Sequence, residues 1–165
     1  MNNKTVEAIL EKARIALQKN GQKTKPNQKD ENYIIDLCDK VLNDNASRQH
    51  RFDFLVGDTG RKLPVDAYYE KCQLVIEYYE KQHTETVKLF DKKNTVSGVT
   101  RDVQRRIYDK RRKEVLPQHG IEVIILSYSD FDFDNQKKII RNPEKDLEII
   151  RQKLKSSSHT NKYNT

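Results

Sequence analysis

Apolar residues along this chain change their spacing repeatedly, and each change marks an element. Val6, Ile9, Leu10, Ala13 and Leu17 recur at helical spacing, which predicts a helix over 4–19, and Lys19 and Gly21 supply a stop. GQKTKPNQK (21–29) is polar, contains a proline and reads as a linker. Ile34, Ile35, Cys38, Val41 and Leu42 share one face of a second helix, about 31–43. The period then shortens to two at 51–56, RFDFLV, as in a strand, and GDTGRK follows as a turn. Two further strands, 63–69 and 73–80, join around Lys71-Cys72, and 84–100 is irregular. A long helix over 101–117 is closed by Pro117 and Gly120. IEVIILSY (121–128) is almost continuously apolar and β-branched, the pattern of a buried strand. A last helix, 143–154, starts at Pro143, and 156–165 is expected to be a flexible tail.

The order α, α, β, β, β, α, β, α predicts an α/β (α+β) fold. Its centre is a mixed sheet of about four strands flanked by helices, because a meander precedes a crossover helix and one more strand. With 165 residues the chain has room for one domain, expected at 30–155, after an N-terminal helix and linker at 1–29. Hydrophobic and charged residues each make up 35%, so the core is lean and an arm or tail lies outside it. The net charge of +7 suits a polyanionic partner, nucleic acid being the commonest. A lysine-rich background gives the same total, so the placement of charge matters more than its sum. Cys38 and Cys72 form no CxxC pair, which excludes a cysteine-rich zinc module and a disulfide framework. The start MNNKTVEAILEK lacks a signal peptide's apolar run, and no stretch approaches the ~20 apolar residues of a membrane span. The expectation is a cytoplasmic protein without a membrane partner.

The strand pair at 63–80 carries a carboxylate on each arm. With the turn at Lys71-Cys72, Tyr69 faces Leu74 and Asp66 falls opposite Glu77, about 4.5–5.5 Å apart. Like charges so placed repel, unless water screens them or a cation bridges them. Two carboxylates with a backbone carbonyl and waters make a hard-oxygen site suited to Mg²⁺. The alternative is an exposed face that carries acids, although Tyr68, Val75 and Tyr79 share that face. A one-residue slip would send the two acids to opposite faces.

Asp66 and Glu77, with ten residues between them on strand–turn–strand and followed by Gln82-His83, form a pattern. Asp109, Arg112, Leu116 and Gly120 on the crossover helix, then IEVIIL, extend it. The chain here resembles the very-short-patch-repair-endonuclease-like group of the PD-(D/E)XK nuclease superfamily, over roughly 31–132. That resemblance implies a restriction-endonuclease-like core and hydrolysis of DNA phosphodiesters with Mg²⁺, or Mn²⁺ in its place. Asp66 and Glu77 would ligate the metal. The superfamily usually has a lysine two residues after the glutamate, where this chain has Tyr79. Lys81, Gln82 or His83 would take that lysine's role, and a neutral histidine suits a general base near pH 7. His83 bonded to backbone at a strand end is the plainer reading. Superfamily members often add a glutamate from the preceding helix. Glu31 is the best-placed candidate and Asp36 the next, although a first-turn glutamate also fits the helix dipole. The zinc site of true very-short-patch-repair enzymes has no counterpart here.

RDVQRRIYDKRRK (101–113) is the densest basic stretch in the chain. At helical spacing Arg101, Arg105, Tyr108 and Arg112 align in one row, beside Arg106, Lys110 and Lys113 in a second, while Val103, Ile107 and Val115 are expected to pack inward. The rows suit DNA phosphates. A solvated helix face with internal Asp–Arg pairs is the alternative, and Arg112 paired with Asp109 would be structural. Three functions remain open: a Mg²⁺-dependent endonuclease of restriction or repair type, acting on both strands most simply as a homodimer; a catalytically inactive nuclease-like fold that binds nucleic acid; and a protein-interaction domain.

Overall fold

The computed structural model describes residues 28–80 and 100–156. The helix expected over 4–19, most of the linker, the stretch 84–99 and the tail from 157 lie outside the described residues. The elements run α1 (Asp30–Leu42), β1 (Ser47–Val56), β2 (Lys62–Tyr69), β3 (Leu74–Tyr79), α2 (Arg101–Gln118), β4 (Glu122–Ser127) and α3 (Pro143–Lys155). The sheet order is β1-β2-β3-β4, antiparallel through the meander and parallel between β3 and β4. The fold is α+β, with a four-stranded mixed sheet and three helices.

The helix ends follow the local chemistry. α1 opens with Asp30 and Glu31 against its positive end and closes where Asn43 turns left-handed, at φ 49°. α2 is capped by Thr100, whose hydroxyl accepts from Val103 N. Asn142 does the same for α3, with Pro143 in its first turn. Pro117 sits inside the last turn of α2, and the chain leaves through Gly120 at φ 72°.

Each helix layer covers one face of the sheet. Under α1 and α3 lie Ala67, Tyr69, Leu74, Ile76, Tyr78, Ile124 and Leu126, packed on Ile34, Ile35, Cys38, Ile150 and Leu154. Under α2 lie Phe52, Leu63, Val65, Tyr68 and Val75, packed on Leu116. Gly57 lets α2 approach the β1–β2 turn: a methyl group there would meet the Tyr108 ring at 3.0 Å.

The pleat of β1 and β2 changes phase at one level. Arg48 and Ala67 are partners on the α1 side, where Arg48 bonds Asp36 and Asp39. His50 and Val65, partners two residues further on, belong to the α2 side, His50 through its ring contacts with Phe52 and Tyr68. Strict alternation would keep each pair of positions on one face. The residue between on β1 is Gln49, at φ 50°, and its opposite on β2 is Asp66. A left-handed glutamine costs ~1–2 kcal/mol, and such strain concentrates at functional positions.

Four details depart from the sequence reading. β1 begins at Ser47, because its polar first half pairs with Tyr68 and Ala67. The β2–β3 connection is a short 3₁₀ turn, Glu70–Cys72, plus left-handed Gln73, rather than a two-residue turn; the register is still Tyr69↔Leu74. β4 is an edge strand among the described residues, so Ile124 and Leu126 are buried while Val123 and Ile125 are only half-buried. Val103 and Ile107 are 42% and 36% exposed instead of packed inward. The face that α2 turns to the sheet is instead Tyr108, Asp109, Arg112 and Leu116, because Tyr108 seats on Gly57 and Arg112 reaches β2.

Candidate active site

The sheet forks at the carboxylate pair. Cross-strand partners between β2 and β3 run Tyr69↔Leu74, Tyr68↔Val75 and Ala67↔Ile76, and stop there. Beyond that level β2 pairs with β1 alone and β3 with β4 alone. Asp66 and Glu77 are the first residues past the split, and their own groups stitch it. Asp66 N donates to Glu77 Oε1 at 3.3 Å, and Tyr78 N donates to Asp66 Oδ2 at 2.8 Å. The side chain of Asp66 thus stands in for a backbone acceptor, and the facing positions expected from the turn are realised.

Glu77 is 5% exposed. Burial, then the neighbouring Asp66 carboxylate, push its proton affinity up to about 8, while Arg112 and the Asp66 N–H pull the other way. Among the described residues the cation paired with Glu77 is Arg112, with Nε 3.8 Å from Oε2. It is shared: Nη1 donates to Asp109 Oδ1 at 3.1 Å and Nε to Pro64 O at 3.0 Å. One guanidinium therefore faces two buried acids and ties α2 to β2 beside the fork.

From the opposite face, Glu31 on α1 reaches the same place. Gln49 Nε2 donates to Glu31 Oε1 at 3.1 Å and to Asp66 Oδ1 at 3.4 Å, so the left-handed glutamine bridges the two acids. Burial first, then Asp66 and Glu80, raise the proton affinity of Glu31, against the Gln49 amide and Lys29. Asp36, the other candidate, lies elsewhere, bonded to Arg48 at 2.7 Å and Gln28 at 2.6 Å. Gln49 and Glu80 were not anticipated from the sequence. Gln49 lies in a polar run with no periodicity, and Glu80 looks like any strand-end charge.

Tyr79 occupies the position two residues after Glu77, buried at 8% exposure, and Lys113 of α2 holds its ammonium 5.4 Å from the ring centroid. Lys81, Gln82 and His83 lie outside the described residues. Of the basic rows, Arg101, Arg106, Lys110 and Lys113 are exposed, Arg105 is half-buried, and Arg112 turns inward to Asp109. Lys110 also pairs with Glu114 at 3.6 Å.

Among the described residues no three His, Cys, Asp or Glu side chains form a ready-made metal centre. The donor chemistry of Asp66 and Glu77 nevertheless fits Mg²⁺, which keeps several waters and takes one or two carboxylates. Burial first, and then repulsion from Asp66, raise the proton affinity of Glu77, and the repulsion is the part a divalent cation relieves. No described helix is long and apolar enough to cross a membrane. Comparison of the chain with protein-family models, with curated proteins and with solved structures gave no match in any of the three.

Proposed function

We propose that this chain is a divalent-metal-dependent DNA endonuclease with a restriction-endonuclease-like core, of the very-short-patch-repair-endonuclease-like group of the PD-(D/E)XK superfamily. One observation carries the reading: two mutually repelling carboxylates, Asp66 and Glu77, meet where the central strands part, beside a basic helix. Asp66 and Glu77 would hold Mg²⁺ or Mn²⁺. The bound ion supplies polarisation of the scissile phosphate, a lowered pKa for the attacking water and charge compensation on the leaving oxygen.

The chain's own residues have separable tasks. Arg112 limits the build-up of negative charge at Glu77 and Asp109 and fixes α2 against β2. Gln49 orients Asp66 from the far side and keeps Glu31 within its field. Lys113, over Tyr79, brings a cation towards the strand position where the superfamily usually has lysine. His83 would accept the proton of the attacking water, with Lys81 and Gln82 beside it. Arg101, Arg105, Arg106 and Lys110 hold phosphates, which makes binding salt-dependent. Two copies acting together would cut both strands.

A second reading rests on Tyr79. A buried tyrosine in the lysine position favours a nuclease-like fold that binds nucleic acid without cutting it. Supercoiled plasmid separates the two. Wild type with Mg²⁺ is expected to nick or linearise it, and Asp66→Ala to cut at least about a hundredfold more slowly, the scale of several kcal/mol of lost charge stabilisation. Intact plasmid after wild type in both Mg²⁺ and Mn²⁺ would overturn the enzyme. Equal cutting by both proteins would overturn the site.

A further inference from the structure

The β1–β2 turn and the first half of α2 enclose an open cleft of about 490 Å³. Four cations line it: Arg51 on β1, Arg61 in the turn, Lys62 on β2 and Arg101 at the start of α2. Among the described residues no carboxylate is named in its lining. Arg61 and Arg101 have no ion-pair partner among the described residues, and both are exposed. Arg51 Nη1 donates to Lys62 O, which holds that guanidinium along the strand pair. Lys62 meets Asp53, an acid whose side chain is 89% exposed, so the pair is a weak surface contact. Only Arg101 belongs to the basic helix noted in the sequence; the other three come from a strand pair that shows no cluster in one dimension.

From this cleft we infer that the β1–β2 turn and α2 together grip the sugar-phosphate backbone of a nucleic-acid duplex, with Arg51, Arg61, Lys62 and Arg101 as its phosphate contacts. The inference rests on the nuclease reading for the identity of the polyanion. Three features favour a backbone over a small phosphate compound. The turn's amides are already engaged: Gly57 N with Arg61 O, Gly60 N with Gly57 O, and Asp58 N with the Tyr108 hydroxyl. A compact phosphate site is normally closed by such amides. The cations instead sit on three separate elements and are long and solvent-facing, which suits a run of phosphates. The ring in the lining, Tyr108, is half-buried, with its hydroxyl end at Gly57 and bonded to Gln104 at 3.1 Å and with Arg111 5.9 Å from its centroid, so the ring is already engaged rather than presented to an unpaired base.

The cleft also leads to the carboxylates. Pro64 is part of its wall, and the Pro64 carbonyl is the acceptor of Arg112, which faces Glu77. Asp66 is two residues along the same strand, about 7 Å at strand rise, or roughly two nucleotides of duplex. A strand held in the cleft would pass the fork at the next phosphates.

The test is fluorescence anisotropy of a short labelled DNA duplex with the full chain in EDTA, so that binding is read without cutting. The double variant Arg51→Gln/Arg61→Gln is expected to bind at least about tenfold more weakly and to lower the salt slope by about two. Lys138→Glu, an exposed lysine outside the cleft, controls for total charge and is expected to change affinity less than about twofold. If the double variant unfolds by circular dichroism, Arg61→Glu alone supplies the measurement. Wild-type affinity and slope in the variant would overturn the inference. So would displacement of the duplex by inorganic phosphate beyond the effect of chloride at matched ionic strength. If wild type binds through this cleft yet leaves plasmid intact, the nuclease reading falls while the cleft stands.

Discussion

Asp146, in the layer under α1 and α3, and Glu77, in the layer under α2, are buried carboxylates on opposite faces of one sheet. Asp146 is fully enclosed and accepts from the Tyr33 hydroxyl at 2.6 Å and Asn142 N at 2.9 Å, in the first turn of α3. Both donors meet Oδ2, while Oδ1 is buried without a hydrogen-bond partner among the described residues; no second carboxylate faces it in these contacts, and the positive end of α3 helps offset its charge. Glu77 has another carboxylate across the fork, a second buried acid, Asp109, close by, and a single shared guanidinium 3.8 Å away. One face uses its acid to knit helices together; the other keeps an acid in a place that disfavours its charge. Structural need explains the first arrangement. Under the proposed function the second arrangement would serve to receive a cation.

The contrast breaks most sharply at Arg112. Replacing it with leucine removes the guanidinium that Glu77 and Asp109 share and the bond to the Pro64 carbonyl, and unfolding in urea is expected to show a loss of about 3–5 kcal/mol. Asp146→Ala comes next. It strands the Tyr33 hydroxyl in the interior, at about 1–3 kcal/mol for a buried group left unpaired, whereas water can replace the acceptor of the exposed Asn142. Glu77→Gln should move the other way, stabilising the protein above pH 8 by roughly 1–3 kcal/mol. The sign follows from the proton. Folding raises Glu77 from 4.5 to about 8, so the folded state keeps a proton that the unfolded state has released. The stability tied to this group is full below 4.5, falls across 4.5 to 8 and is level above. The advantage of the glutamine variant should therefore grow through that window and vanish near its lower end. Urea titrations at several pH values check it, and a pH-independent difference would contradict it.

What the sequence conveyed depended on how local each signal was. The facing of Asp66 and Glu77 was legible because a short connection sets register by counting, and it survived a change in turn type because Tyr69 and Leu74 still pair. Among the described residues, α1 was legible from its apolar spacing, and α2 and α3 from the Pro and Gly signals at their ends. The fork was not, since parting of β2 and β3 depends on β4 pairing with β3 from far along the chain. Gln49 was hidden for a similar reason: its left-handed turn matters only because Asp66 lies opposite and Glu31 arrives from another helix. Val103 and Ile107 misled because a helix's buried face is chosen by what it docks against, here Gly57 and Pro64. The cations of the cleft are single residues in one dimension and neighbours only once the strand pair meets α2.

Carbon-13 NMR of the Glu77 side-chain carboxyl, titrated with and without Mg²⁺, tests the central claim most directly. Without metal the midpoint should lie near 8. With Mg²⁺ it should fall, because the ion favours the charged form. The Asp66→Asn variant should weaken the metal's effect and, by removing the facing charge, lower the metal-free midpoint as well. A midpoint at the ordinary glutamate value of 4.5, or one that Mg²⁺ leaves in place, would contradict the account.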